Sequence, residues 1–420
     1  MLKKKDATQQ HCPMTAMGEA FNPFFDPYLS NPYEFYIQAR EQEPVFYSPE
    51  INHWVVASYE DVKNVLMDSE TYSSRKTLTP IRPVREAIGM LLAQDFKIIP
   101  NLTNDDPPSH TLIRKFLQNA FTPNRIRWLE PHVRRLATES INSFIHKGTT
   151  DLVKDLLHDT PVQVLFTFLG IPQTDIEKIK TWSENMTILT WGKPSDEEAI
   201  ARTPSFIEHF KYCFDLVDYL EQNPGEDYIS ELLQRLKTEK PEGIDKNRIA
   251  LILIGLLVAG QETTSNQAGL GVRALLKNRE AWEEIKANPQ LIPNAVEEII
   301  RFDSSVIAWR RVTNKPVTLS GVDIPAGEQL LVLLASANHD EKTFANGATF
   351  DIHRKNARQN LSFGHGNHYC IGAPLARLEL RILLEELTKR LPDLELVEEQ
   401  TYSYSQNTSH RGLSSLWVKW

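Results

Sequence analysis

Apolar positions along the chain follow two periods. Between residues 110 and 291 they recur every three to four positions, the spacing of helices with one buried face, while short runs on either side alternate or cluster as strands do. A helix is predicted over 32–41, with Asn31 placed to cap it and Pro32 at its first position. Runs at 44–48 and 53–58 read as a β-hairpin, and a second helix follows at 59–68. Segment 74–102 mixes Pro, Gly, Ile and Leu without a period, which predicts a long irregular stretch of the kind that often carries function. Pro123, Pro161, Pro172, Pro194, Pro204, Pro224 and Pro241 are expected to divide the helical region. Beyond Arg301 come β runs at 317–319 and 329–333, one more helix after residue 372, and a strand-like end at 416–420. The pattern predicts a mainly α fold with small β-sheets, with 1–22 as a polar N-terminal tail and 23–420 as a single domain.

Composition narrows the class. Net charge is −9, from 55 acidic and 46 basic residues, and no sustained basic run points to nucleic acid. The start of the chain has lysines but no apolar core behind them, so neither a signal peptide nor a membrane anchor is expected. The longest apolar run, 249–260, is shorter than the roughly 20 residues a bilayer requires and reads as a buried helix. Cys12, Cys213 and Cys370 are far apart and odd in number, which suits a reducing, cytoplasmic setting.

Candidate chemistry concentrates in Phe363-Gly364-His365-Gly366-Asn367-His368-Tyr369-Cys370-Ile371-Gly372. The glycines allow tight turns and close approach to a ligand, and the helix that follows aims N–H groups back at the Cys370 sulfur, favouring a thiolate. A plain buried thiol is one reading of such a cysteine. Zinc is another, with His365 and His368, although a structural zinc site needs four ligands. Haem iron fits best, because a cysteine thiolate is one of its few proximal ligands. A second anomaly is Ala259-Gly260-Gln261-Glu262-Thr263-Thr264, an acid and two threonines inside the apolar helix. A desolvated carboxylate there is costly, and threonine competes for its own helix's carbonyls. Such a breach marks a functional site, unless Thr263 caps a new helix with Glu262 in solvent. A Thr263 hydroxyl bonded back to a carbonyl would widen the helix, and Gly260 would let its backbone approach a flat partner. A third feature, Glu298 and Arg301, shares one helical face.

Together these motifs resemble the cytochrome P450 superfamily over about 22–420. The cysteine stretch meets every fixed position of F-G-x-G-x-H-x-C-x-G, and Ala259 to Thr264 is similar to A/G-G-x-D/E-T-T. The resemblance implies the triangular P450 fold around haem b (iron protoporphyrin IX), with Cys370 as the metal ligand beside Phe363, and Glu262 and Thr263 delivering protons during oxygen activation. Glu298 and Arg301 match the structural E-x-x-R. In the downstream P-x-x-F frame Gly347 and Thr349 stand where proline and arginine fall, leaving Arg354 or His353 as third partner. Asp106-Pro107-Pro108-Ser109-His110-Thr111-Leu112-Ile113-Arg114 is similar to D-P-P-x-H-x-x-x-R, which makes His110 and Arg114, with Arg311 and His368, partners of the haem propionates.

The implied activity is a monooxygenase acting on a small organic molecule with O2. Its electrons would come from a separate ferredoxin and ferredoxin reductase, docking near Lys115, Arg125, Arg377 and Arg381. By position in the family pattern, segment 74–102, Gly255, Val258, Ala259, Ile307, Ala308, Trp309 and the turn Asn407-Thr408-Ser409-His410 should line the substrate pocket. A polar turn beside a tryptophan points to a small oxygen-bearing substrate, and O-demethylation of an aryl methyl ether or methylated sugar is the expectation. Hydroxylation of a fatty acid, terpenoid or polyketide is the alternative, and a peroxide-driven enzyme or a non-catalytic haem protein are readings of other kinds.

Overall fold

The computed structural model describes residues 14–82 and 100–420. Its first helix, α1 (Ala16–Ala20), corrects the expected tail: Thr15 caps it, and Met17 and Phe21 are buried with Phe24, Tyr36 and Phe46. The cause is an aromatic cluster that the polarity of the preceding residues masks in the sequence. α2 (Pro32–Gln42) starts on Asn31 and Pro32 as expected. β1 (Val45–Ser48) and β2 (His53–Val56) form the hairpin, and α3 (Tyr59–Met67) and β3 (Tyr72–Ser73) follow. Residues 83–99 of the irregular segment lie outside the described residues, as does Cys12.

The helical region comprises α4 (Ser109–Leu117), α5 (Pro123–Phe144), then β4 (Thr149–Asp151), α6 (Thr160–Leu169), α7 (Ile176–Trp191), α8 (Asp196–Gln222), α9 (Tyr228–Glu239), α10 (Lys246–Lys277), α11 (Arg279–Ala287) and α12 (Ile292–Phe302). Pro123 and Pro161 occupy first turns, and Pro172, Pro194, Pro224 and Pro241 lie between helices. Pro204 does not break the chain but sits inside α8. Its missing N–H frees the carbonyl four residues back, at exposed Ile200, where water can satisfy it. α10 has 32 residues and is about 48 Å long. By length and composition it could cross a membrane, but it packs on α6, α7, α8 and α12.

After α12 come β5 (Trp309–Thr313), the hairpin β6 (Val317–Leu319) and β7 (Val322–Ile324), β8 (Gln329–Val332), α13 (Leu334–Ala337), α14 (Ala373–Arg390), β9 (Glu395–Leu396) and β10 (Trp417–Lys419). The larger sheet runs β1-β2-β8-β5-β3, with β2 and β8 parallel and Trp54 opposite Leu330. The second is β4-β10-β9, with Val418 between Thr150 and Leu396. A mainly α fold with small sheets is therefore what the chain adopts.

Glu298 and Arg301 are not a surface pair; both side chains are fully buried. Arg301 donates to both Glu298 oxygens at 2.7 Å and to the carbonyls of Asn338, Gly347 and Thr349 at 2.7, 2.8 and 3.0 Å. The third partner is Arg354, with Nε 3.2 Å from Glu298, while His353 pairs with Glu284 instead. Arg354 also donates to the carbonyls of Ala345, Asn346 and Thr349, so the two arginines pin a strand-free stretch of backbone to α12. Replacing Arg301 with methionine leaves that backbone and part of the carboxylate without donors. Arg301→Met should lower the unfolding free energy by about 3–5 kcal/mol, read from denaturant unfolding.

Candidate functional site

The cysteine loop hangs from this buried cluster. Asn338, whose carbonyl Arg301 holds, accepts from Leu361 N–H at 2.7 Å and donates to the Ser304 and Ser362 hydroxyls at 3.0 and 2.8 Å. Gly364 and Gly366 turn the chain at φ of +71° and +67°, and a Cβ on Gly366 would lie 2.7 Å from the Leu66 carbonyl oxygen. Cys370 N–H closes the loop on Phe363 O at 2.8 Å, and α14 starts three residues later with Gly372 at its N-cap. The Arg377 guanidinium lies 4.6 Å over the Phe363 ring.

The exposed face of Cys370 is turned into an internal cavity of 590 Å³. Burial pushes its thiol up from the ordinary value, and the N–H groups of Gly372 and Ala373, with Arg114 and Arg377, only partly offset that. The N–H groups at the start of α14 thus favour the thiolate as expected, but burial outweighs them. The ionised form needs a cation facing Sγ, which a metal supplies.

A second set of groups has the opposite imbalance. His110 is 1% exposed and neither ring nitrogen has a partner. Its ring lies 4.0 Å from that of His368, whose Nε2 meets the Ser74 hydroxyl at 3.0 Å. Arg114 reaches the Tyr369 carbonyl at 2.5 Å, and buried Arg311 the Arg310 carbonyl at 2.8 Å. Burial and the neighbouring guanidinium groups of Arg114 and Arg311 hold both histidines neutral. Asp106 is taken by Ser73, Ser74 and Arg75. Arg114, Arg311 and His368 line the cavity, with orphaned His110 against the His368 ring, and among the described residues no carboxylate pairs with either arginine, a set that fits a dianionic group with many acceptor oxygens. The two propionates of haem are such a group, and the residues present therefore fit the cofactor.

α10 forms the facing wall. Thr263 Oγ1 donates to Ala259 O at 2.8 Å and joins the cavity with Val258 and Ala259. Gly260 is close to Leu165 of α6, where a Cβ would come within 3.1 Å of Cδ2, so its smallness serves helix packing as well as the cavity. Glu262 is not part of the cavity wall and faces Thr187 and Glu184 of α7. Burial, then the Glu184 charge, raises its pKa to about 7, against a smaller opposing contribution from Thr187 and His158.

Of the expected pocket residues, Val258, Ala259, Trp309 and His410 line the cavity, as do Gly255 and the described parts of 74–102 around Leu78 and Leu102. Ile307, Ala308 and Ser409 do not. Ile307 N–H donates to Ser409 O at 2.8 Å, and this backbone pairing turns both side chains away while Val306 takes the wall. Of the expected docking cations, Arg125 pairs with Glu231, Arg377 with Glu297, and Arg381 with Glu130 and Glu385. Trp191, at the end of α7, is a wall residue that sequence reasoning missed; its only signal was an aromatic side chain just before the Gly192 and Pro194 break.

A helical cavity with one inward cysteine and an uncompensated cationic end defines a haem-binding oxidoreductase. Comparison with known proteins agrees: the cytochrome P450 family model matches residues 206–408. The chain is 33% identical to the vitamin D(3) 25-hydroxylase of Pseudonocardia autotrophica, over 96% of this chain and 97% of that protein. Among solved structures it is similar to cytochrome P450 CREJ in complex with (4-ethylphenyl) dihydrogen phosphate, at TM-score 0.91 and 36% identity, covering 95% of this chain and 99% of that one. It also matches an intact type IV self-sufficient cytochrome P450 monooxygenase, at TM-score 0.93 and 40% identity, covering 97% of this chain and 54% of that one. The chain belongs to the cytochrome P450 family and is a haem-dependent monooxygenase.

Proposed function

We propose that the chain is a cytoplasmic monooxygenase for a small oxygen-bearing aromatic substrate, and that its reaction is oxidative O-demethylation of an aryl methyl ether. The observation that carries this reading is the cavity wall at Trp191, Trp309 and His410, three rings with hydrogen-bonding atoms on an otherwise largely apolar surface. The solved relative with an aryl phosphate bound supports an aromatic substrate. In the balanced reaction the methyl ether takes one oxygen atom of O2, two electrons and two protons are consumed, and the products are a phenol, formaldehyde and water. The electrons come from a redox partner, proposed to be a separate ferredoxin with its reductase.

Cys370 Sγ is the proposed metal ligand, held by the Phe363 carbonyl and the start of α14. His110, Arg114, Arg311 and His368 hold the propionates. Bound haem supplies the activation of O2. Thr263 donates its hydroxyl hydrogen to the Ala259 carbonyl, which leaves its oxygen lone pairs free to accept a hydrogen bond at the cavity. Glu262, behind the wall, is the proton reservoir: with a pKa near 7 it is about half protonated at neutral pH. A second reading is C–H hydroxylation of a larger molecule, favoured by the name of the vitamin D(3) hydroxylase relative.

With surrogate redox partners, the purified enzyme should release formaldehyde stoichiometrically with the phenol from aryl methyl ethers. Hydroxylated products without formaldehyde across such a panel would replace this reading with the second one. Cys370→Ser should abolish the thiolate-type absorption of the reduced carbon monoxide complex; its retention would exclude Cys370 as the ligand. The proton-donating form of Glu262 exists below its raised pKa and is lost above it. Turnover should therefore decline as pH rises through about 7, and Glu262→Gln should be about a hundredfold slower with that limb absent.

A further inference from the structure

At one corner of the cavity three rings meet. Trp191 and His410 are 4.7 Å apart at 83°, Trp191 and Trp309 are 5.7 Å apart, and Trp309 and His410 are 6.3 Å apart. The backbone fixes them in place. Thr408 donates to the Trp191 carbonyl through its N–H at 3.0 Å and its hydroxyl at 3.2 Å, and His410 bridges to Val306. Asn407 Oδ1 accepts from Ser409 N–H at 2.9 Å and so shapes the turn that presents His410.

The polar atoms of this corner are nevertheless unspent. His410 Nδ1 and Trp191 Nε1 have no partners, although the residues are only 7% and 4% exposed. Each orphaned group of this kind is costly, which favours a ligand that satisfies it. Behind the corner lies Arg310, 2% exposed, whose guanidinium donates to the carbonyls of Thr79 and Thr190 while its Nε has no partner. Among the described residues no carboxylate pairs with it. Burial, and then Arg310, lowers the His410 pKa to about 4, so the imidazole is neutral and has one N–H to give. Among the described residues the one carboxylate of the cavity wall is Glu379, on α14 with Leu375 and Leu380. The corner thus holds an excess of donors and one uncompensated positive charge.

We propose that the Trp191, Trp309 and His410 corner, backed by Arg310, is the subsite for an anionic oxygen group on an aromatic substrate, a carboxylate or a phosphate monoester. A neutral ether or ketone would leave donors unused, whereas an anion accepts several at once and pairs with the buried charge. The substrate's ring lies against the two tryptophans and its acidic group points at His410. This inference rests on the reading of the cavity as a site for a small aromatic substrate, but not on demethylation.

The test is affinity, measured on the holoenzyme by calorimetry and by the optical change on ligand binding. The probes are p-methoxybenzoate against its methyl ester, and p-ethylphenyl phosphate against p-ethylphenol. At least one anion should bind about tenfold tighter than its neutral twin, a difference that shrinks as salt is added, and the two pairs show which acid is preferred. Arg310→Met should remove the preference while the neutral twins keep their affinity, and His410→Phe should reduce it if the first variant does not fold. Wild-type enzyme that binds neither anion more tightly than its twin overturns the proposal. Anion preference without formaldehyde release would instead leave the subsite standing and remove only the demethylation reading.

Discussion

Glu298 is a carboxylate without water, and the site is assembled on what that costs. Desolvating an acid is affordable only when its oxygens are fully paired, and two arginines do this while holding five backbone carbonyls between them. One of those carbonyls belongs to Asn338, whose side chain positions Leu361, Ser362 and Ser304. The cysteine loop is thereby tied to α12 by a continuous series of hydrogen bonds. A long irregular stretch becomes as rigid as a helix, without regular secondary structure to make it so.

The cavity has the contrary character. Its polar groups are arranged for something the described residues do not provide: His110, against His368 of the wall, has no partner, Arg114 and Arg311 have no carboxylate of their own among the described residues, and the Cys370 thiol is held above its ordinary pKa by burial. Each is locally unfavourable and each is relieved by a cofactor with a cationic metal and two acid groups. Stability is concentrated in the scaffold around Arg301, and unmet demand is concentrated at the site.

How much of this was legible in the sequence follows from what kind of constraint each residue carries. Cys370 could be named from the residue types around it, whereas His110, Arg114, Arg311 and His368 could be named only through motifs that the chain shares with a known family. The element pattern was equally readable, since burial imposes it through periodicity. Parity was not: Ile307 and Ser409 turn away because of a backbone hydrogen bond between segments a hundred residues apart. Glu262 was found as an anomaly, but its position behind the wall depends on how α7 crosses α10. Trp191 was missed because an aromatic residue at a helix end looks like core. Pro204 misled because a helix with one face in water tolerates a proline that a buried one does not.

The parallel pairing of β2 with β8 has a consequence for how the protein matures. Trp54 pairs with Leu330, and Thr150 of β4 with Val418 of β10, so in each sheet the second strand is made long after the first. The helices between can form from local contacts during synthesis, but neither sheet can close until its later strand has been made. The cysteine loop is also late in the chain. The walls that α6, α7 and α10 give the cavity are therefore made before the thiol that would hold a cofactor, so apolar collapse of those walls competes with the cofactor for the space.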